Sequence, residues 1–311
     1  MKHVVFGTGP IGTALADILA GQGHKVVAVN RSGTAGTGDG VEVIAGDATD
    51  SAFTSSVAEG AAVVYQCLNP PYTKWPQLFP PLQAGVFDAA AATGAKLVAL
   101  ENLYMYGPTD GAPLTEELPY AATGSKGAVR ARMAQDLLDA HRSGILRTAI
   151  GRASDYFGPG GLMSAMGERV FYPAVAGKKA QVMGDPDQPH SYSFIPDIAA
   201  GLAALGSDDR ADGRAWHLPN APATTTREFI TKVFKAAGTA PGVSVMPPLM
   251  MNVVGLFNGT VRELKEMMYG YKEPFVVDSS DYESTFGHSA TAHEEAIATT
   301  VEWYRANPRG R

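Results

Sequence analysis

The chain has 311 residues, of which 45% are hydrophobic and 18% charged, with a formal net charge of -6 and one cysteine. This is the profile of a packed globular protein of about two domains at ~150 residues each, not of a disordered chain. The acidic balance and the lack of a basic stripe exclude nucleic acid as a partner, while the lone Cys67 excludes an internal disulfide or a cysteine-based metal site and fits a reducing cytoplasm.

The first residues, MKHVVFGTGPIG, are expected to form a strand and not a signal peptide, because Gly and Pro interrupt the apolar run early. Val4 to Phe6 is the predicted first strand and Ile11 to Gln22 the first helix. Strands follow at Lys25 to Asn30, Val41 to Ala45 and Ala62 to Cys67, then a helix from about Phe79 to Thr93 and a fifth strand from Lys96 to Leu100. The helix Ser125 to Arg142 leads to a sixth strand, Arg147 to Gly151. Unbroken apolar strands separated by helices predict an α/β fold, a doubly wound parallel Rossmann sheet buried on both faces.

Beyond Tyr156 the pattern loosens, and a smaller C-terminal substrate-binding domain is expected. The predicted division gives residues 1–157 to the dinucleotide-binding domain, with 191–218 returning to it, and 158–190 with 219–311 to the substrate domain. Within the returning part, SYSFIPDIAAGLAAL is a strand-then-helix unit expected to rejoin the sheet. Gly184 to His190 is a turn-dense loop. The strand-like Ala215 to Leu218, the helix Thr226 to Ala237 and a helix over Ala292 to Arg305 close the chain. No run approaches ~18 apolar residues, so no membrane span is expected. Met246 to Phe257 reads as a buried helix or pocket lid.

Gly7-Thr8-Gly9-Pro10-Ile11-Gly12 matches G-x-G-x-x-G directly after a strand and at the opening of a helix. Gly7 permits the tight turn, Gly9 lets backbone approach a pyrophosphate and Gly12 lets helix and strand pack closely. An NAD site usually has an acid about 20 residues on, for the ribose 2′-hydroxyl. Here Asn30, Arg31 and Ser32 stand there, and an arginine with two neutral donors suits a 2′-phosphate. NADP(H) is therefore the expected cofactor, with NAD(H) the second option.

With GTGPIG, the segment Gly46-Asp47-Ala48-Thr49-Asp50, Tyr104-Met105-Tyr106-Gly107, Ser154-Asp155-Tyr156-Phe157-Gly158-Pro159-Gly160, HSYSFIPDIA and the closing Thr300-Val301-Glu302-Trp303-Tyr304, nearly the whole chain resembles the extended and atypical short-chain dehydrogenase/reductases of the epimerase/dehydratase type. The resemblance implies that Asp47 and Ala48 flank the adenine and that Leu68, Asn69 and Pro70 line the ribose and nicotinamide side. It also implies a Tyr-x-x-x-Lys helix, in which a phenol exchanges a proton with the substrate oxygen. Lys126 is in place, but Ala122 occupies the tyrosine position, Tyr120 comes two residues early, and Asn102 stands where a serine is usual.

Three explanations stay open. A displaced donor is one: Thr123-Gly124-Ser125-Lys126 resembles the T-G-x-K motif of the progesterone 5β-reductase/iridoid synthase branch, which pairs the lysine with a tyrosine after the next strand, here Tyr156. Tyr104 is a further donor. A distorted Tyr120 is the second explanation, and a noncatalytic NADP(H)-sensing regulator the third. On the substrate side, Tyr72 and Trp75 are candidates for the pocket mouth and His190 and Tyr192 for a polar wall. Glu101 reads as a base or a structural acceptor. Met163, Met166, Met246, Met250, Met251, Met267 and Met268 suggest either adaptable packing or a pliable apolar chamber. The histidines and carboxylates show no metal-ligand spacing, so no metal is expected.

The resulting expectation is an oxidoreductase that uses NADP(H) to reduce a carbonyl or conjugated enone of a small, largely apolar molecule. Lys126 orients the cofactor, Tyr156 or Tyr104 donates the proton, and Asn102 holds the substrate oxygen. A nucleotide-sugar epimerase or dehydratase is the alternative enzyme, and a homodimer is compatible with either.

Overall fold

Strands of Val, Ala and Ile alternate with Ala- and Leu-rich helices. The computed structural model, which describes residues 1–247, 257 and 259–309, joins seven of the strands into one parallel sheet. In chain order β1 is Lys2–Phe6, α1 Pro10–Gly21, β2 Lys25–Asn30, β3 Val41–Ala45, α2 Ser51–Ala58, β4 Ala61–Gln66, α3 Trp75–Thr93, β5 Lys96–Glu101, α4 Ser125–Arg142 and β6 Thr148–Arg152. There follow β7 Asp155–Phe157, α5 Glu168–Val175, β8 Ala180–Val182, β9 Pro189–His190, β10 Tyr192–Phe194, α6 Ile195–Ser207, β11 Ala215–His217, β12 Thr224–Thr225, α7 Thr226–Ala237 and β13 Val243–Val245. The helices Gly259–Leu264, Ser280–Phe286 and His293–Ala306 follow, and short 3-10 helices span Tyr72–Lys74, Tyr104–Tyr106, Asp209–Ala211 and Lys265–Tyr271.

The sheet runs β11-β6-β5-β4-β1-β2-β3. After β3 the chain crosses back past β1 to begin β4, so the strand order reverses between β1 and β4. A crevice opens outside the carboxyl ends of the strands at such a point. Successive residues of β1 face opposite ways, as the period of a strand requires. Val5 joins the core under α1 and α6, with Leu15, Leu19, Ile198 and Leu202. Val4 and Phe6 join the core under α3 and α4, with Val86, Ala89, Ala134 and Leu137. Each such buried large side chain contributes roughly 1.5–3 kcal/mol. A third core gathers Phe157, Phe171, Phe194, Phe229, Phe234 and Tyr304 from the C-terminal half.

Three expectations need correction. The strand at Tyr192–Phe194 does not rejoin the main sheet. It pairs in parallel with β7 as a two-stranded ribbon, and β11 supplies the seventh strand beside β6. The helix expected from Phe79 starts at Trp75 and runs through Pro80 and Pro81. Burial of Trp75 and Phe79 outweighs the two backbone hydrogen bonds that the prolines remove near its start. The helix α2 was not foreseen, although Asp50 caps it by accepting from the N–H groups of Ala52 and Phe53 at 3.0 and 3.1 Å.

Among the methionines, Met166, Met267 and Met268 are buried, but Met163 is 90% exposed and lines neither a core nor a chamber. Met250, Met251 and most of the expected lid from Met246 to Phe257 lie outside the described residues. Phe257 itself is exposed. Among the described residues no helix is long and apolar enough to cross a membrane.

Candidate active site

The Gly-rich loop joins β1 to α1 at the reversal of strand order. Gly7 has φ 101°, and a Cβ there would lie 2.5 Å from the Cys67 carbonyl oxygen at the end of β4. A Cβ on Gly12 would lie 1.9 Å from the Gly7 oxygen, so strand, loop and helix touch backbone to backbone. A Cβ on Gly9 would meet nothing within 4 Å. Gly9 borders open space, and as the residue preceding α1 it offers no side-chain cap to the first-turn N–H groups. Pro10 opens the helix and its first turn holds no acid. Ile11 anchors the turn in the core. Bare backbone N–H groups facing an open cradle are what a pyrophosphate requires.

At the end of β2, Asn30 organises the neighbouring turn. Its Nδ2 donates to Thr8 Oγ1 at 2.5 Å and to the Thr34 carbonyl at 2.8 Å, while its Oδ1 accepts from the N–H groups of Ser32 and Gly33. This ties the second strand's turn to the Gly-rich loop. Arg31 and Ser32 are exposed beside it. Asp47 is exposed too, and the backbone N–H and hydroxyl of Thr49, with the Arg31 charge nearby, hold its carboxyl below the usual range. Ala48 is buried. Beyond β4, Leu68 is half-buried, Asn69 is exposed, and the buried Pro70 accepts from Trp75 Nε1 through its carbonyl at 3.1 Å.

On the other side of the crevice lies Lys126, on the first turn of α4 and 1% exposed. Its Nζ pairs with Glu263 and stands 4.4 Å above the Tyr72 ring. Trp75 packs against Tyr72, Tyr104 and Phe79 with ring centroids at 5.1, 5.8 and 5.2 Å. The Tyr72 hydroxyl is buried without a hydrogen-bond partner among the described residues. Burial pushes both phenols above their usual value, and neighbouring carboxylates push Tyr72 further. Asn102 follows β5, and its Oδ1 accepts from the Tyr104 N–H and from Arg130 Nε, both at 3.3 Å. With the oxygen engaged, the amide nitrogen is the part of Asn102 left to donate.

Several sequence candidates end up elsewhere. Ala122 precedes α4; its N–H donates to the Met105 carbonyl, and Gly107 and Gly127 crowd it. The Tyr120 hydroxyl accepts from Arg152, so its phenol belongs to a buried network and does not reach Lys126. Arg152 also holds Glu101 and the Tyr106 hydroxyl, which joins His217 at 2.8 Å. Glu101 is thus half of a buried ion pair. Tyr156 packs against the core under α1 and α6 and near Tyr304, on the opposite side of β7 from Asp155. No hydrogen bond, ion pair or ring contact joins Tyr156 to Lys126 among the described residues.

Asp155 points into the cluster instead. His190 Nε2 donates to its Oδ2 at 3.1 Å, and the Tyr271 ring stacks on that imidazole, close enough for its hydroxyl to help hold the carboxylate charged. His190 lies between Tyr192, Tyr271 and Phe275 at 4.7, 5.6 and 5.1 Å. The Tyr192 hydroxyl turns away to Thr226 at 2.7 Å. Sequence reasoning missed Asp155, Arg130, Glu263 and Glu266. Asp155 is adjacent to the tyrosine singled out, and the period of a strand was the one signal that separated the two. Arg130 sits one turn beyond Lys126 on α4, where only the fold shows that it reaches Asn102, and Glu263 and Glu266 come from a distant segment that nothing local marked.

The model of the NAD dependent epimerase/dehydratase family matches residues 4–218. Solved structures share the fold. Epimerase Mth375 from Methanothermobacter thermautotrophicus is 16% identical, with 98% of this chain and 92% of that one covered and a TM-score of 0.81. UDP-glucose 4-epimerase from Bifidobacterium longum, solved with NAD+ and UDP, is 20% identical over the whole of both chains, with a TM-score of 0.79. UDP-glucuronic acid 4-epimerase from Bacillus cereus, solved with NAD, is 16% identical over 100% of this chain and 99% of that one, also at 0.79. No curated protein sequence matches the chain.

Proposed function

The chain belongs to the NAD dependent epimerase/dehydratase family, and from that premise we propose that it is an NADP(H)-dependent reductase acting on a carbonyl or conjugated enone of a small molecule. The observation that carries the reading is one cluster of Lys126, Tyr72, Tyr104 and Asn102 at the carboxyl ends of β4 and β5, across the crevice from the Gly-rich loop. The cradle at Gly9 and the uncapped start of α1 fit a dinucleotide pyrophosphate. Arg31 with Ser32 at the end of β2 suits a 2′-phosphate. Asp47 and Ala48 would border the adenine, and Leu68, Asn69 and Pro70 the ribose beyond it. A bound nicotinamide supplies the hydride.

The chain's own residues do the rest. Lys126 holds the ribose hydroxyls once Glu263 gives way. Asn102 donates its amide N–H to the substrate oxygen. Tyr104 gives that oxygen a proton and regains one from solvent once the product leaves. Burial keeps Tyr104 protonated at neutral pH. That suits a donor in reduction better than the base an oxidation or epimerisation needs. Tyr72, Trp75 and Tyr104 give the crevice aromatic walls, which favours an apolar body in the substrate. Residues 158–190 and 219–311 would frame it as the smaller substrate domain.

The solved epimerases favour a second reading, a nucleotide-sugar epimerase or dehydratase. One experiment separates the two: carbonyl, enone and nucleotide-sugar substrates with NADPH, followed by absorbance and product analysis. Net NADPH oxidation with a reduced carbonyl or enone supports the reductase. An isomerised sugar with the cofactor regenerated supports the second reading, and tight NADPH binding without turnover leaves a sensor. Tyr104→Phe should lower kcat/KM by about 100-fold or more, the usual scale for an acid–base group, without changing NADPH affinity. Tyr156→Phe should leave kcat/KM within a few-fold of the parent. Full activity in Tyr104→Phe would remove that residue from the role.

A further inference from the structure

We propose that Asp155, held by His190, anchors the substrate, and that the molecule acted on carries a protonated amine. The proposal rests on the reductase reading and adds the substrate's charge to it. Asp155 is clamped in place. The imidazole that donates to it has a side chain only 5% exposed, fixed between three aromatic rings, whereas the Asp155 side chain is 24% exposed. A carboxylate has about four lone-pair sites, and the bond from His190 uses one of them. The carboxylate is therefore ordered, and its partly exposed side chain retains accepting capacity for a further donor.

The surroundings of that free edge are aromatic and short of positive charge. Tyr72, Tyr104, Tyr269 and Tyr271 all lie close enough to feel the Asp155 charge. Lys126 is already paired with Glu263. The Tyr72 hydroxyl is flanked by three carboxylates, Glu266, Asp155 and Glu263, against that one ammonium. A compact cation satisfies both features at once, by charge on Asp155 and by contact with the phenol faces. A diphosphate meets like charge in the same place. Burial would raise the Asp155 carboxyl, but the hydrogen bond and charge of His190, with the Tyr271 hydroxyl nearby, outweigh it and keep the group ionised at neutral pH.

The test uses the NADPH-loaded protein and matched aromatic aldehydes with a para aminomethyl, ethyl or carboxymethyl group. Turnover and equilibrium binding are measured for each. The aminomethyl compound should bind at least 10-fold more tightly than the ethyl compound, with the carboxymethyl compound weakest. In Asp155→Asn, checked for parental NADPH affinity and melting temperature, the amine advantage should shrink to within twofold. A wild-type ranking in which charge makes no difference, or in which the carboxylate binds best, overturns the proposal without any variant. So does an amine advantage that survives in Asp155→Asn. Reduction of all three aldehydes without charge preference leaves the reductase standing and removes the anchor. Asp155-dependent amine binding without any turnover keeps the anchor and removes the reductase.

Discussion

Arg31 follows the last residue of β2, exposed, where a carboxylate would otherwise meet the ribose 2′-hydroxyl. If it pairs with a 2′-phosphate, the charge-assisted hydrogen bonds are worth roughly 1.5–3 kcal/mol, about 10- to 100-fold in affinity. Titration of both cofactors should show Arg31→Ala losing about 10-fold or more for NADPH while NADH binding is unchanged. Tighter NADH than NADPH binding by the parent chain would reject the assignment. The glycine spacing was legible from the sequence because each glycine answers a backbone requirement within six residues. The side on which each phenol lies was not. Tyr156 is favoured by resemblance, but the period of β7 turns it to the core and turns Asp155 to the crevice. Tyr104 enters the cluster because Trp75, from a separate helix, stacks on it.

At the scale of an element, α4 carries the lysine yet has little of its own to secure its start. Gly124 precedes it without a side-chain cap, and its first turn holds no acid. Glu266, 140 residues away, does that work: its carboxylate accepts from the Lys126 N–H at 2.9 Å and from Ser125 Oγ at 3.2 Å. A Cβ on Gly124 would strike that carboxylate, so the glycine makes room for a cap borrowed from another segment. Losing a cap of this kind typically costs about 1 kcal/mol. Glu266→Ala should lower the urea unfolding free energy by that amount, and Glu266→Gln, which keeps an accepting oxygen, by less. Parental stability in Glu266→Ala would show that the contact contributes nothing. The helix itself was legible end to end from Ser125 to Arg142, and the cap was not, because it is tertiary.

Among the buried imidazoles of the molecule, His3 on β1 and His217 on β11 are shifted furthest. Burial lowers both to about 4, with His24 and the amino terminus adding to it for His3 and Arg152 for His217. His217 Nδ1 donates to the Asp278 carbonyl at 3.0 Å and its Nε2 accepts from Tyr106, so both ring nitrogens are used by the neutral form. Folded values below the ordinary 6.5 mean that the unfolded chain takes up protons the folded chain refuses. The stability present above pH 6.5 is therefore lost as pH falls toward 4, by about 2–3 kcal/mol for His217 by pH 4.5. Urea unfolding at a series of pH values should show this decline, shallower by that amount in His217→Gln. An identical slope in the variant would refute the linkage. By itself the sequence determined the alternation of strands and helices, the parallel sheet and the glycine cradle, because these follow from hydrophobic period and backbone conformation within short stretches. Tertiary structure alone decided which strand closes the sheet, which phenol meets Lys126, and that Asp155, Glu263 and Glu266 join it. Those contacts join residues up to 141 positions apart, brought together by burial of distant apolar faces, and no local pattern encodes them.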